Sequence, residues 1–110
     1  MNRKGYNNNL ADDFHLRKQM VRMKVSFHAT VRDAAGIQEV EADASSIREL
    51  LGVLQRRFGV RFHSILVKDG ALREDVVILV NGQNISHKGG MDAKLEPGDD
   101  VAIFPPVSGG

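Results

Sequence analysis

The sequence predicts an α+β fold, one mixed sheet wrapped over one main helix, and three observations carry that prediction. Apolar and polar residues alternate strictly from Met23; one helical face runs from Ile47 to Phe58; and β-rich stretches follow that helix, VVILV at 76–80 and VAIF at 101–104.

The first element places Met23, Val25, Phe27 and Ala29 on one side and Lys24, Ser26, His28 and Thr30 on the other, the pattern of a half-buried strand. The stretch VRDAAGIQEVEA then supplies a turn at Asp33 to Gly36 and a second strand at Ile37 to Ala42, close enough to pair with the first as a hairpin. In SSIRELLGVLQRRFG, Ser46 and Glu49 form a candidate capping box, and Ile47, Leu50, Leu51, Leu54 and Phe58 share one helical face. Gly59 stops the helix, with Arg56 and Arg57 in its last turn, where the helix dipole favours cations. Gly52 interrupts it at a cost of about 1 kcal/mol relative to alanine, and close packing on the sheet is one explanation.

The mixed pattern of VRFHSILVKDGALRED suggests an irregular loop with a turn at Lys68 to Gly70. VVILV reads as a strand buried on both faces, ending in a tight Asn81-Gly82 turn and followed by a short strand at Gln83 to Ser86. HKGGMDAKLEPGDD is turn-rich, and VAIFPP is the closing strand, stopped by proline, which lacks the donor a ladder needs. With a right-handed crossover, that strand lies parallel beside the first in the middle of the sheet.

One hundred and ten residues suit a single small domain. Fifteen basic against fourteen acidic residues leave a charge of +1, which gives no overall bias toward nucleic acid or an anionic membrane. With no cysteine, a disulfide framework, a thiolate metal site and a cysteine nucleophile are excluded. No apolar run approaches the roughly 18 to 20 residues of a membrane span, so a soluble, cytoplasmic protein is expected. Residues 1–22, MNRKGYNNNLADDFHLRKQMVR, form a polar N-terminal extension expected to be disordered, with a short helix over Ala11 to Met20 as the alternative. The folded domain is expected over 23–104 and a flexible tail over 105–110.

Catalytic chemistry within the chain is sparse. His15, His28, His63 and His87 have no ligand-like spacing and read as solvated surface, so no metal is expected. Ser64, Ser86 and Ser108 lack a nucleophile-elbow context, and Gly89-Gly90 belongs to no phosphate-binding loop. The basic pairs Arg17-Lys18 and Arg56-Arg57 are not interleaved with aromatics, which argues against nucleic-acid binding. The unusual group is the α-carboxylate of Gly110, at the end of FPPVSGG. A carboxylate is inert until activated. Two glycines without side chains suit a tail that must thread a narrow channel to an adenylating enzyme, and Pro105 and Pro106 stiffen its base.

Three stretches, MKVSFHATVRDAAG, ILVNGQNI and LEPGDDVAIFPPVSGG, resemble the MoaD family, the small sulfur-carrier subunits of molybdopterin synthase in the ubiquitin-like β-grasp superfamily. The resemblance spans Met23 to Gly110, and PPVSGG is its most specific part; residues 1–22 inherit nothing from it. It implies a small, non-catalytic subunit that binds no cofactor itself. An E1-like adenylating enzyme uses ATP to activate Gly110, an outside donor supplies sulfur, and the resulting thiocarboxylate serves a pterin precursor on the large molybdopterin synthase subunit. By matching position Gly110 is the thiocarboxylate or acyl-adenylate residue, Gly109, Ser108, Val107, Pro106 and Pro105 form the inserting tail, and Phe104 docks the partner. Small archaeal modifiers and the ubiquitin-related modifier share the fold and the diglycine end but pass the carbonyl to target-protein lysines, so that reading stays beside the first. The thiamine sulfur carrier, typically more compact, fits less well with the long Val60 to Val76 segment. A β-grasp docking module with an idle tail is the remaining alternative.

Overall fold

The computed structural model describes residues 20–106. Its elements, in chain order, are β1 (Val21–Phe27), α1 (Ala29–Ala35), β2 (Glu39–Ala44), α2 (Ile47–Phe58), α3 (Val60–Leu66), β3 (Val67–Lys68), β4 (Ala71–Leu72), β5 (Val77–Val80), β6 (Gln83–Asn84) and β7 (Asp100–Phe104). Single 3-10 turns lie at Ile85–His87 and Gly90–Asp92. Five strands form one mixed sheet in the order β2-β1-β7-β5-β6, and β3 and β4 make a separate hairpin. As expected, the closing strand is central. It runs parallel to β1, with Val25 beside Val101, and antiparallel to β5, with Ile78 beside Ile103.

The main helix follows its sequence signature. The Ser46 hydroxyl accepts the Glu49 backbone N–H, while the Glu49 carboxylate reaches back to the Ser45 backbone N–H and hydroxyl at 2.6 Å each. Ile47, Leu50, Leu51 and Leu54 are buried against the inner face of the sheet, with Met23, Val25, Phe27, Ile78, Val101 and Ile103. Gly59, at φ 97°, ends α2 in a conformation that favours glycine. The close-packing explanation for Gly52 is not supported: a Cβ there would meet only the Arg56 guanidinium, at an ordinary 3.7 Å. Gly52→Ala should therefore raise stability by about 0.5–1 kcal/mol, read as a higher urea midpoint at unchanged slope.

Five expectations need correction. The turn at Asp33 to Gly36 is instead the last part of α1, which Gly36 closes at φ 75° with its N–H on the Arg32 carbonyl. Ala29 leaves the strand face for that helix and is exposed, and β2 runs two residues later than the expected Ile37 to Ala42, leaving Ile37 44% exposed. The irregular loop after Gly59 is helix α3, followed by a hairpin whose Asp69-Gly70 turn falls where a turn was expected. Phe62 and Leu66, one turn apart on α3, are buried, and Phe62 packs edge-on against Phe27 with centroids 5.5 Å apart. The strand expected at Gln83 to Ser86 is shortened to Gln83–Asn84, because Asn84 accepts the Ser86 N–H and winds the chain into a 3-10 turn.

The N-terminal boundary also shifts. Val21 and Arg22, counted with the polar extension, belong to β1 and pair with Ala44 and Asp43. The Arg22 carbonyl accepts the Gly98 N–H, and its guanidinium bridges Glu41 at 3.2 Å and Asp43 at 3.1 Å. The hydrogen bond to Glu41, then the charge of Asp43, push the Arg22 pKa up from its ordinary value. A chain begun at Met23 is expected to unfold at lower urea than one begun at Met20, because it lacks these partners. Among the described residues, no helix is long and apolar enough to cross a membrane.

Candidate functional site

Strand order decides what surrounds the exit of the tail. The sheet packs α2 against one face only, so VVILV is not buried on both sides: Ile78 and Val80 point into the core, whereas Val77 and Leu79 are half-exposed on the outer face. Register arranges that face in rows. One row sets Lys24 beside Asp100, with Glu41 on the other side of Lys24. The next sets Ser26 beside Ala102 and Leu79. The last brings Phe104 beside Val77, and the His28 ring stacks on the Phe104 ring with centroids 4.2 Å apart and planes 12° apart. Moving toward the tail, the β7 and β5 side of the face passes from charged to apolar, while the exposed Glu39 of β2 lies beside Ser26.

Phe104 ends β7, and Pro105 and Pro106, both half-buried, continue from it. A proline confines the residue before it to extended conformations, so Phe104 and Pro105 are both restricted. The base of the tail is therefore stiff and issues from the central strand at the apolar end of the outer face. Of the tail residues singled out in the sequence, Val107, Ser108, Gly109 and Gly110 lie outside the described residues, as does His15.

The other end of β7 is fixed by a buried carboxylate. Asp99, 8% exposed, accepts from the Asn81 side-chain amide and from the Glu96 backbone N–H, each at 2.8 Å, and the Asn81 side-chain oxygen accepts the Asp100 N–H at 2.9 Å. Asn81 (φ 51°) and Gly82 (φ 83°) form the tight turn read in the sequence. The turn and the start of β7 are thus tied together, which anchors the strand that carries the tail.

Two histidines depart from the solvated reading. His28 is half-buried in the aromatic stack, with Nε2 3.2 Å from the Ser26 hydroxyl, and His63 on α3 has a buried Nδ1 without a hydrogen-bond partner. No group of three or more His, Asp or Glu among the described residues is arranged to hold a metal ion. An open groove of about 850 Å³, lined by Ser45, Ser46, Arg48, Lys94 and Leu95 among others, shares no residue with the base of the tail. What sequence reading missed is the outer-face patch of His28, Val77, Leu79 and Ala102; only Phe104 was singled out. Its residues come from β5, β7 and the residue that follows β1, and no local pattern marks them.

Comparison with known proteins agrees with this architecture. A profile of the ThiS family matches residues 25–110. A provisionally named sulfur carrier protein of Archaeoglobus fulgidus is 32% identical over 88 residues, covering 80% of this chain and 98% of that protein. The solution structure of small archaeal modifier protein 1 from Methanosarcina acetivorans superposes with a TM-score of 0.73 at 32% identity, covering 84% of this chain and 99% of the other. A provisionally named molybdopterin converting factor subunit 1 from Pyrococcus furiosus superposes with a TM-score of 0.64 at 32% identity, covering 79% and 99%.

Proposed function

Since the chain belongs to the ThiS family, the MoaD-like and ThiS-like β-grasp proteins that include sulfur carriers and ubiquitin-like small modifiers, we propose that it is a sulfur carrier whose reactive group is the carboxylate of Gly110. The observation that carries this reading is the tail's origin. A central strand, tied down at one end by Asp99, ends in Phe104-Pro105-Pro106 beside an apolar patch. Such a patch is suited to burial against a partner, and the stiff base, Phe104 to Pro106, sets the direction in which the chain leaves the sheet.

The partners are those that the family likeness implies. An E1-like enzyme binds ATP and forms the Gly110 acyl-adenylate; a sulfur donor outside the chain converts it to the thiocarboxylate; and the large molybdopterin synthase subunit presents the pterin precursor that receives the sulfur. The Pyrococcus furiosus relative supports the molybdopterin destination, and the Archaeoglobus fulgidus relative supports sulfur carriage in general. Val107, Ser108 and Gly109 are the slim segment inside the partner, and cytoplasmic residence follows from such partners. The second reading is conjugation to target-protein lysines through the same carbonyl, supported by the likeness to the Methanosarcina acetivorans modifier.

Docking is tested on the outer face. Leu79→Glu introduces a charge at a half-exposed position in the apolar rows, so KM in pyrophosphate exchange with an E1-like enzyme should rise about tenfold or more. The unfolding midpoint should change little. An unchanged KM would mean that the enzyme holds the carrier elsewhere. Adding the large synthase subunit and pterin precursor to thiocarboxylated carrier should regenerate the free carboxylate, whereas lysine adducts without sulfur transfer would favour the modifier reading.

A further inference from the structure

We propose that His28 is a positioning residue for the tail: its ring, stacked on Phe104, clamps the last residue of β7 and so sets the direction in which the chain leaves the sheet. This deepens the carrier reading and rests on it.

The backbone of His28 is held at both ends. Its N–H donates to the Ile103 carbonyl at 3.2 Å, which carries the β1 pairing one residue past the strand, and its own carbonyl accepts from Val31 at 3.2 Å. The next residue, Ala29, sits at φ 54° in the left-handed region. For a residue with a Cβ that conformation costs about 1–2 kcal/mol, and here it turns the chain directly from strand into α1. The ring is held as well. Its face lies on Phe104 at 12° from parallel, and Nε2 is 3.2 Å from the Ser26 hydroxyl, which also reaches the Val101 carbonyl at 3.5 Å.

What this does for function depends on where fraying would begin. The end residue of a strand has ladder bonds on one side only and opens first. Phe104 is that residue, and the two prolines beyond it have fixed φ and no N–H to bond back to the sheet. Play at Phe104 is therefore passed on to the tail rather than absorbed at its base. Gly110 lies six residues beyond Phe104, a reach of at most about 21 Å, so with the tail drawn out inside the partner's channel a few degrees at Phe104 move the carbonyl by about an ångström. A displacement of that size at a reacting carbonyl can lower turnover up to about a hundredfold.

His28→Ala and His28→Phe separate positioning from simple contact area. For the alanine variant, kcat for pyrophosphate exchange with an E1-like enzyme should fall roughly tenfold, a larger factor than any rise in KM from the lost contact area. The phenylalanine variant, which keeps a ring to stack, should restore most of the loss. The stack itself is read without any enzyme: the ring-current shift on the Phe104 protons should vanish in His28→Ala and persist in His28→Phe. Urea midpoints establish that both variants are folded. A rise in KM at unchanged kcat would make His28 part of the docking area only and overturn the proposal, as would a phenylalanine variant that keeps the ring shift but fails to recover kcat. If wild type itself is not adenylated, the carrier reading fails and this assignment falls with it.

Discussion

Deleting Gly110, or adding one residue after it, is expected to abolish ATP-dependent adenylation and thiocarboxylate formation while leaving the urea midpoint of the domain unchanged. In the proposed reaction a carboxylate oxygen of Gly110 bonds to the α-phosphorus of ATP and pyrophosphate leaves. Hydrosulfide released by the outside donor then attacks the activated carbonyl, AMP leaves with the bonding electron pair, and loss of the S–H proton leaves the thiocarboxylate. Both steps need that carbonyl at a fixed place. Removing one residue draws it back by up to about 3.6 Å, and an added residue moves the carboxylate beyond the site by a similar distance. Either displacement is large against the few tenths of an ångström that separate a reactive alignment from an unreactive one. The stability half of the prediction rests on the core: among the described residues Ile103 is the last buried one, seven residues before Gly110. Normal turnover by the deletion variant would remove both the carrier and the modifier readings and leave a docking module.

The second large effect is on stability. Leu50 and Leu54 are fully buried on one face of α2, so replacing either with alanine should cost about 2–5 kcal/mol, from lost transfer free energy and from the cavity left behind. Arg48 lies on the same helix with its side chain 58% exposed and paired with Asp92 at 3.1 Å. An exposed ion pair contributes little, and Arg48→Ala should cost under about 1 kcal/mol. Urea unfolding of the three variants checks the contrast. Leucine variants as tolerant as the arginine variant would contradict the packing described for α2.

The legible parts of the fold were those whose pattern is local and long. Twelve residues of helical periodicity with a cap at each end made α2 readable, and the parallel pairing of β1 with β7 followed from topology alone. The two short helices escaped for different reasons. In α1 only Val31 is buried, and the alternation of β1 runs on through Ala29 and Thr30, so the sequence continues to look like strand where the backbone turns. Nothing in an alanine signals a left-handed φ. For α3 the signal was present, since Phe62 and Leu66 are four apart, but Gly59 reads as a stop and here it redirects one helix into another. At the candidate site the division is similar. The diglycine end is a contiguous string and could be read directly, whereas the patch beside its base is assembled by register from β5, β7 and the residue that follows β1. Val77 and Leu79 have the composition of buried strand residues although they are half-exposed, so composition does not tell the outer face of β5 from the inner one.

The central claim is that the Gly110 carbonyl is the reactive centre of the chain, and intact mass spectrometry of the full chain incubated with ATP, an E1-like enzyme and a sulfur donor tests it most directly. The account predicts a species heavier by one sulfur less one oxygen, with the change located at the last residue by fragmentation, and its absence when ATP is withheld. Only unmodified free acid from a reaction in which the same enzyme and donor thiocarboxylate another family member would contradict it.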